Sequence, residues 1–261
     1  MNIGYVTITG ADDKTEIMDL LDLSARYPFV EWGILFSQSK SGVARYPSLD
    51  WVNELKSLAA AFAAKRGVGG SINLSSHLCG KWVSDVLERG EVTFYRDESM
   101  FQLFQRAQLN CYKERLKEMV ASPNFWKAAL RLGKPILLGG NYNNIELDVR
   151  KCAQFNVSAL FDSSGGHGKT SSSYRPPFTY EHSDPEKRIH TQNVMFCGYA
   201  GGLGPDNIEE ELDKIAKVAG SNQFWIDMES RVRTVEGSKD ILDLGKVEKV
   251  LEIVMRRMGH G

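Results

Sequence analysis

The sequence has little that would tie it to a membrane, a nucleic acid or an oxidising compartment. No apolar run approaches the ~18 residues that a membrane helix needs, so no membrane partner is expected. The opening stretch Met1–Thr9 has no basic residue and no long apolar core, so a signal peptide is not expected there. The four cysteines, Cys79, Cys111, Cys152 and Cys197, form no Cys-x-x-Cys pair and no zinc spacing with histidine. Reduced thiols in a cytoplasmic protein are expected, with no metal site. The formal net charge is only -1, which argues against a nucleic-acid polymer bound through a global basic surface. A local basic pocket stays open. Internal repeats, low-complexity tails and domain boundaries are all lacking.

What is present fits one large core. The chain has 261 residues, close to the ~250 of a (β/α)8 barrel, and is 42% hydrophobic and 25% charged, an ordinary balance for a globular protein. Short apolar runs alternate with longer helical ones. Strands are expected at Ile3–Thr9, Val30–Ser37, Gly69–Leu74, Gln102–Leu109, Pro135–Gly139, Val157–Asp162, Val194–Gly198 and Gln223–Asp227. Helices are expected at Lys14–Arg26, Leu49–Lys65, Leu78–Arg89, Tyr112–Leu132, Asn144–Phe155, Pro205–Ala219 and Leu242–Met258. Strand–helix alternation means parallel pairing through helical crossovers, and eight strands in this length favour closure. The expected fold is therefore α/β, a single (β/α)8 TIM barrel spanning 1–261. Ser163–Pro185 has no helical period and is too long for a mere connection, so a lid loop is expected at about 163–185. Trp225 reads as packed between the barrel and its helices.

The last third carries the chemistry. Three apolar runs end in glycine and small polar residues, at Ala159–Lys169, Val194–Asn207 and Phe224–Arg233. Glycines let main-chain N–H groups approach an anion, and a helix N-terminus adds a favourable dipole. Gly201 and Gly202 after strand 7 and Ser230 after strand 8 are the candidate phosphate-binding residues. In barrels, those two loops share a phosphate at the carboxyl end. A phosphorylated small molecule is the expected partner.

These residues resemble phosphoribosylanthranilate isomerase, a (β/α)8 family. Gly33-Ile-Leu-Phe36 with Arg45-Tyr46 is similar to its second strand and Arg-Tyr pair. Leu160–Lys169 resembles its strand-6 aspartate and glycine-rich lid. Ala200–Asn207 resembles its Ala-Gly-Gly-Leu-x-Pro-x-Asn, and Asp227–Val232 with Gly237–Asp240 its last strand and loop. Ala107–Asn110 matches more diffusely. The resemblance implies an aldose–ketose (Amadori-type) isomerase acting on a phosphorylated sugar derivative, without cofactors, alone or as a homodimer.

It also implies roles. Asp162 stands where the family has its general acid, although the same carboxylate can cap its own turn through Ser163-Ser164. Thr9 stands where the family has a cysteine base, and threonine is no base near neutral pH. Asp12, Asp13 and Glu31 are nearby substitutes, and Asp12 and Asp13 read equally as helix caps. Arg45 matches the residue that grips the substrate's carboxylate. Asn110 suits a sugar hydroxyl, and His167 and Lys169 on the lid suit a phosphate. Arg231 and Arg233 replace uncharged and acidic family residues, which suggests a more negative ligand, such as a diphosphate or nucleotide. The alternative is a non-catalytic barrel that has lost its base and senses or sequesters a phosphosugar or nucleotide.

Overall fold

The structure, a computed structural model, describes residues 1–66, 71–111, 114–162, 170, 173–184 and 189–259. Eight strands close a parallel barrel. They are β1 (Ile3–Thr9), β2 (Val30–Phe36), β3 (Asn73–Leu78), β4 (Arg106–Asn110), β5 (Ile136–Gly140), β6 (Val157–Asp162), β9 (Cys197–Ala200) and β10 (Phe224–Met228). The order around the barrel is β1-β10-β9-β6-β5-β4-β3-β2. Two antiparallel hairpins lie outside this sheet: β7 (Thr179–Asp184) with β8 (Ile189–Val194), and β11 (Arg233–Glu236) with β12 (Lys239–Leu242).

The helices are α1 (Ile17–Arg26), α2 (Leu49–Arg66), α3 (Lys81–Arg89), α4 (Glu98–Leu103), α5 (Glu114–Ala121), α6 (Pro123–Leu132), α7 (Val149–Gln154), α8 (Ile208–Ala219) and α9 (Leu244–Met258). The last shows why they form. Asp243 accepts from the Lys246 N–H at 3.2 Å and caps the first turn. Val247, Val250, Leu251 and Val254 then fall on one buried stripe at helical spacing. Among the described residues no helix is long and apolar enough to cross a membrane.

Strand periodicity divides the core in two. Val6, Ile8, Trp32, Ile34, Phe224 and Ile226 face the helices and join the main apolar cluster. Leu137, Leu160, Ala200 and Trp225 pack inside the barrel, with Tyr5 and Phe196 against them. Trp225 is thus an inner residue, not one between barrel and helices, because its neighbours Phe224 and Ile226 take the outer face. Gly198 makes room for it: a Cβ there would lie 2.1 Å from the indole.

Polar residues complete the interior. Arg106 grips Glu31 through two hydrogen bonds, at 2.7 and 2.6 Å, and Thr7 donates to the same carboxylate at 2.9 Å. The guanidinium carbon lies 4.6 Å from the Tyr5 ring centroid and 5.3 Å from that of Trp225. This buried pair and its aromatic neighbours plug the barrel below the site.

Several boundaries differ from expectation for identifiable reasons. β3 starts at Asn73, not Gly69, and runs through Ser75, Ser76 and His77, which are polar but buried. Residues 98–103 are helical and capped by Asp97, so β4 begins only at Arg106. The expected helix 112–132 divides at Ser122, where Pro123 opens α6. α8 starts at Ile208, with Pro205 in the preceding turn. The expected lid segment is not all irregular, since residues 179–184 form one arm of the β7–β8 hairpin.

Candidate functional site

Every barrel strand ends at one rim, and inside that rim lies a cavity of about 570 Å³. Thr9, Asn110, Asp162, Gly201, Gly202, Ser230 and Arg231 all line it. They come from β1, β4, β6, the turn after β9 and the 3₁₀ turn Ser230–Val232 after β10. His167 and Lys169 lie outside the described residues.

The turn after β9 is held by its own side chains. Gly201 and Gly202 take φ values of 104° and 64°. Asn207 donates to the Gly202 carbonyl at 2.9 Å and accepts from the Gly204 N–H at 3.0 Å, fixing the turn against the start of α8. Arg231 is exposed beside it and donates to Thr170 Oγ1 at 3.3 Å.

The other arginines are engaged elsewhere. Arg45 does not line the cavity. Its Nη1 donates to Glu229 at 2.7 Å, its Nε donates to Asp240 at 2.9 Å, and its N–H donates to Asp12 at 2.6 Å. Arg233 is fully buried, donating to Asp240 at 2.5 Å, to Asp12 at 3.1 Å and to the Gly10 carbonyl. This network ties the β11–β12 hairpin to the turn after β1. The expected pair of added cations therefore reduces to Arg231, since the charge of Arg233 is matched by two aspartates. The substitute bases are likewise occupied. Asp12 belongs to the network, Asp13 accepts from Ser48 before α2 at 2.8 Å, and Glu31 is held by Arg106.

The floor of the cavity holds a group that sequence reasoning did not single out. Asp227, at the end of β10, is only 6% exposed. Thr9 Oγ1 donates to its Oδ1 at 2.9 Å, and Gln108 Nε2 lies 3.4 Å from its Oδ2. Burial pushes the Asp227 carboxyl up to about 7, the hydrogen bonds from Thr9 and Gln108 oppose this, and the negative charges of Glu229 and Glu31 add to it. Thr9 thus occupies the expected place but serves as a donor to a carboxylate.

His77, on β3, completes the floor. It is 1% exposed, and burial, with the charge of Arg106 adding to it, pushes its imidazole down to about 3. The ring is therefore neutral at ordinary pH. Gln108 Nε2 lies 3.2 Å from His77 Nδ1 and 3.0 Å from Asn110 Oδ1. The two hydrogens of that amide face three acceptors, Asn110 Oδ1, Asp227 Oδ2 and His77 Nδ1, and Thr9 Oγ1 also lies 3.4 Å from Nδ1, so the neutral ring has partners for either tautomer on this side. Among the described residues His77 Nε2 has no partner, and neither has Gln108 Oε1. Gly33 admits the cluster, since a Cβ there would lie 2.4 Å from Thr9 Oγ1 and 2.7 Å from the imidazole.

A closed parallel α/β barrel with a polar cavity at the carboxyl ends of its strands defines the class of this protein. The chain matches no known protein family and no curated protein. Among solved structures it is similar to a truncated form of 3-deoxy-D-arabino-heptulosonate 7-phosphate synthase from Thermotoga maritima. That match has a TM-score of 0.52 at 13% identity and covers 98% of this chain and 88% of the other. It also matches 3-keto-L-gulonate-6-phosphate decarboxylase from Vibrio cholerae O1 biovar El Tor str. N16961, with a TM-score of 0.40 at 10% identity over 97% of this chain and 98% of that one. At 13% identity the synthase supports the barrel fold and nothing finer.

Proposed function

We propose that this protein binds a phosphorylated sugar derivative in the barrel mouth and isomerises it by acid–base proton transfer, as an aldose–ketose isomerase does. The observation that carries this reading is the convergence on one cavity of a glycine turn, Ser230, Arg231 and the carboxyl groups of Asp162 and Asp227. In this reading the phosphate lies against Gly201, Gly202, Ser230 and Arg231. Asn110 meets a sugar hydroxyl, and Asp162 gives a proton to the ring oxygen as it opens. We read the whole chain as one barrel domain, cytoplasmic, working alone or as a homodimer, with no cofactor in the reaction.

A second reading, a barrel that binds without turnover, is favoured by Thr9, whose hydroxyl cannot act as the base. One experiment separates the two. D-Ribose 5-phosphate, D-ribulose 5-phosphate and their unphosphorylated parents are tested by thermal shift and by ¹³C NMR for conversion. A melting temperature raised only by the phosphorylated sugars, with conversion, supports the isomerase. Binding without conversion supports the second reading, and equal shifts from parent and phosphorylated sugars would remove both. Arg231→Ala should weaken binding of the phosphorylated sugars by about tenfold, as expected for loss of one charge-assisted contact of about 1.5 kcal/mol.

A further inference from the structure

We propose that Asp227 is the residue that takes the carbon-bound proton and returns it, and that Thr9 is its positioning residue. The assignment rests on the isomerase reading of the cavity and supplies the base that position 9 lacks.

Geometry supports it in three ways. Asp227 lines the cavity floor at the end of a central strand, and Thr9 Oγ1 holds its Oδ1 at 2.9 Å. The other charged groups near it are already matched: Glu31 on β2 by Arg106 on β4, and Glu229 after β10 by Arg45. His77 on β3 is neutral, and Asp162 stands at the end of β6. Finally, His77 Nε2 and Gln108 Oε1 are buried, unpaired among the described residues and part of the same floor. With the ring proton on Nε2, they set one donor and one acceptor beside a carboxylate, a fit to the two oxygens of adjacent sugar carbons, one a carbonyl and one a hydroxyl.

The step balances without a co-reactant. The hydrogen on the carbon next to the carbonyl leaves as a proton to the Asp227 carboxylate. The C–H electron pair forms a carbon–carbon double bond, and the carbonyl π pair moves onto its oxygen, where His77 Nε2–H donates a hydrogen bond to the growing charge. The hydroxyl proton then passes from the second oxygen to the first, the resulting enediolate takes the carbon-bound proton back from Asp227 on the neighbouring carbon, and the second oxygen becomes the carbonyl. A neutral imidazole donor suits this work, since it stabilises the oxyanion without giving up its proton.

The test uses the full chain in D₂O with D-ribulose 5-phosphate and D-ribose 5-phosphate as probes. Loss of the carbon-bound ¹H signal is followed by NMR, with binding measured in parallel by calorimetry. Wild type should exchange that hydrogen. Asp227→Asn should bind the probe within about threefold of wild type and exchange it about 10²–10⁴-fold more slowly, the range of a general base. Asp227→Asn that binds and exchanges like wild type overturns the assignment and leaves the isomerase reading standing. Absence of both binding and exchange in wild type overturns the reading of the cavity, and the assignment with it. Because the asparagine variant can fold poorly, Thr9→Val gives a second readout. It should move the pH midpoint of exchange upward, because a hydrogen bond to the charged carboxylate is lost, and Thr9→Ser should restore it. An unmoved midpoint in a folded Thr9→Val protein contradicts the positioning role.

Discussion

Replacing Asp227 by asparagine should make the protein more stable at neutral and alkaline pH, by an amount that grows with pH. The folded carboxyl holds its proton up to about pH 7, whereas its ordinary value is 3.8. Between those values the folded protein keeps a proton that the unfolded chain has lost, so stability falls as pH rises through the window. At about 1.4 kcal/mol per pH unit the full effect is roughly 4 kcal/mol, of which about 2–3 kcal/mol falls between pH 5 and pH 8. Asparagine does not titrate, and its amide can still accept from Thr9. Any fixed cost of the swap, about 1–2 kcal/mol for an imperfect partner at Gln108, is the same at every pH. The quantity to measure is therefore the difference between variant and wild type. Urea unfolding at pH 5, 6, 7 and 8 should show it rising by about 2–3 kcal/mol in favour of Asp227→Asn, equivalent to roughly 4–12 °C in melting temperature. A difference that stays flat from pH 5 to pH 8 would show that Asp227 titrates normally, and the buried base would be refuted.

Three further outcomes follow from the same interior. His77→Leu removes an unpaired buried donor, so the melting temperature should hold or rise, while exchange of the carbon-bound hydrogen falls by about 10²-fold; exchange at the wild-type rate would remove His77 from the chemistry. Gly33→Ala should cost about 1–3 kcal/mol in urea unfolding and slow exchange as well, because its Cβ would enter the space of Thr9 and His77. Arg106→Met should destabilise by about 3–5 kcal/mol by leaving Glu31 buried and unpaired, and adding Glu31→Leu should recover most of the loss; strong salt dependence of the wild-type stability would contradict a buried pair.

The barrel was legible in the sequence because β1, β2, β6 and β10 read as short apolar runs separated by helical ones. The two poorest placements, β3 and β4, share a cause. Their inner faces are Ser75, His77, Arg106, Gln108 and Asn110, which read as turn or loop until the barrel supplies partners across its interior. That same alternation carried the missing signal for the site. His77 and Asp227 each sit two residues beyond another inner residue, Ser75 and Trp225, on strands otherwise buried. The glycine turn at 201–202 was legible from local composition and Asp162 from the family resemblance, and both line one cavity. The engagement of Arg45 and Arg233 was not, because Arg45 meets Glu229 and Asp240, and Arg233 meets Asp12, only when the β11–β12 hairpin folds over the first turn.

The central claim is that one phosphorylated sugar spans the cavity from the glycine turn to the buried carboxyl. A crystal structure of the protein with D-ribulose 5-phosphate tests this most directly. The account predicts the phosphate against Gly201, Gly202, Ser230 and Arg231, with a sugar carbon about 3–3.5 Å from a carboxyl oxygen of Asp227. A phosphate bound elsewhere, or a sugar chain directed away from the floor, would contradict it.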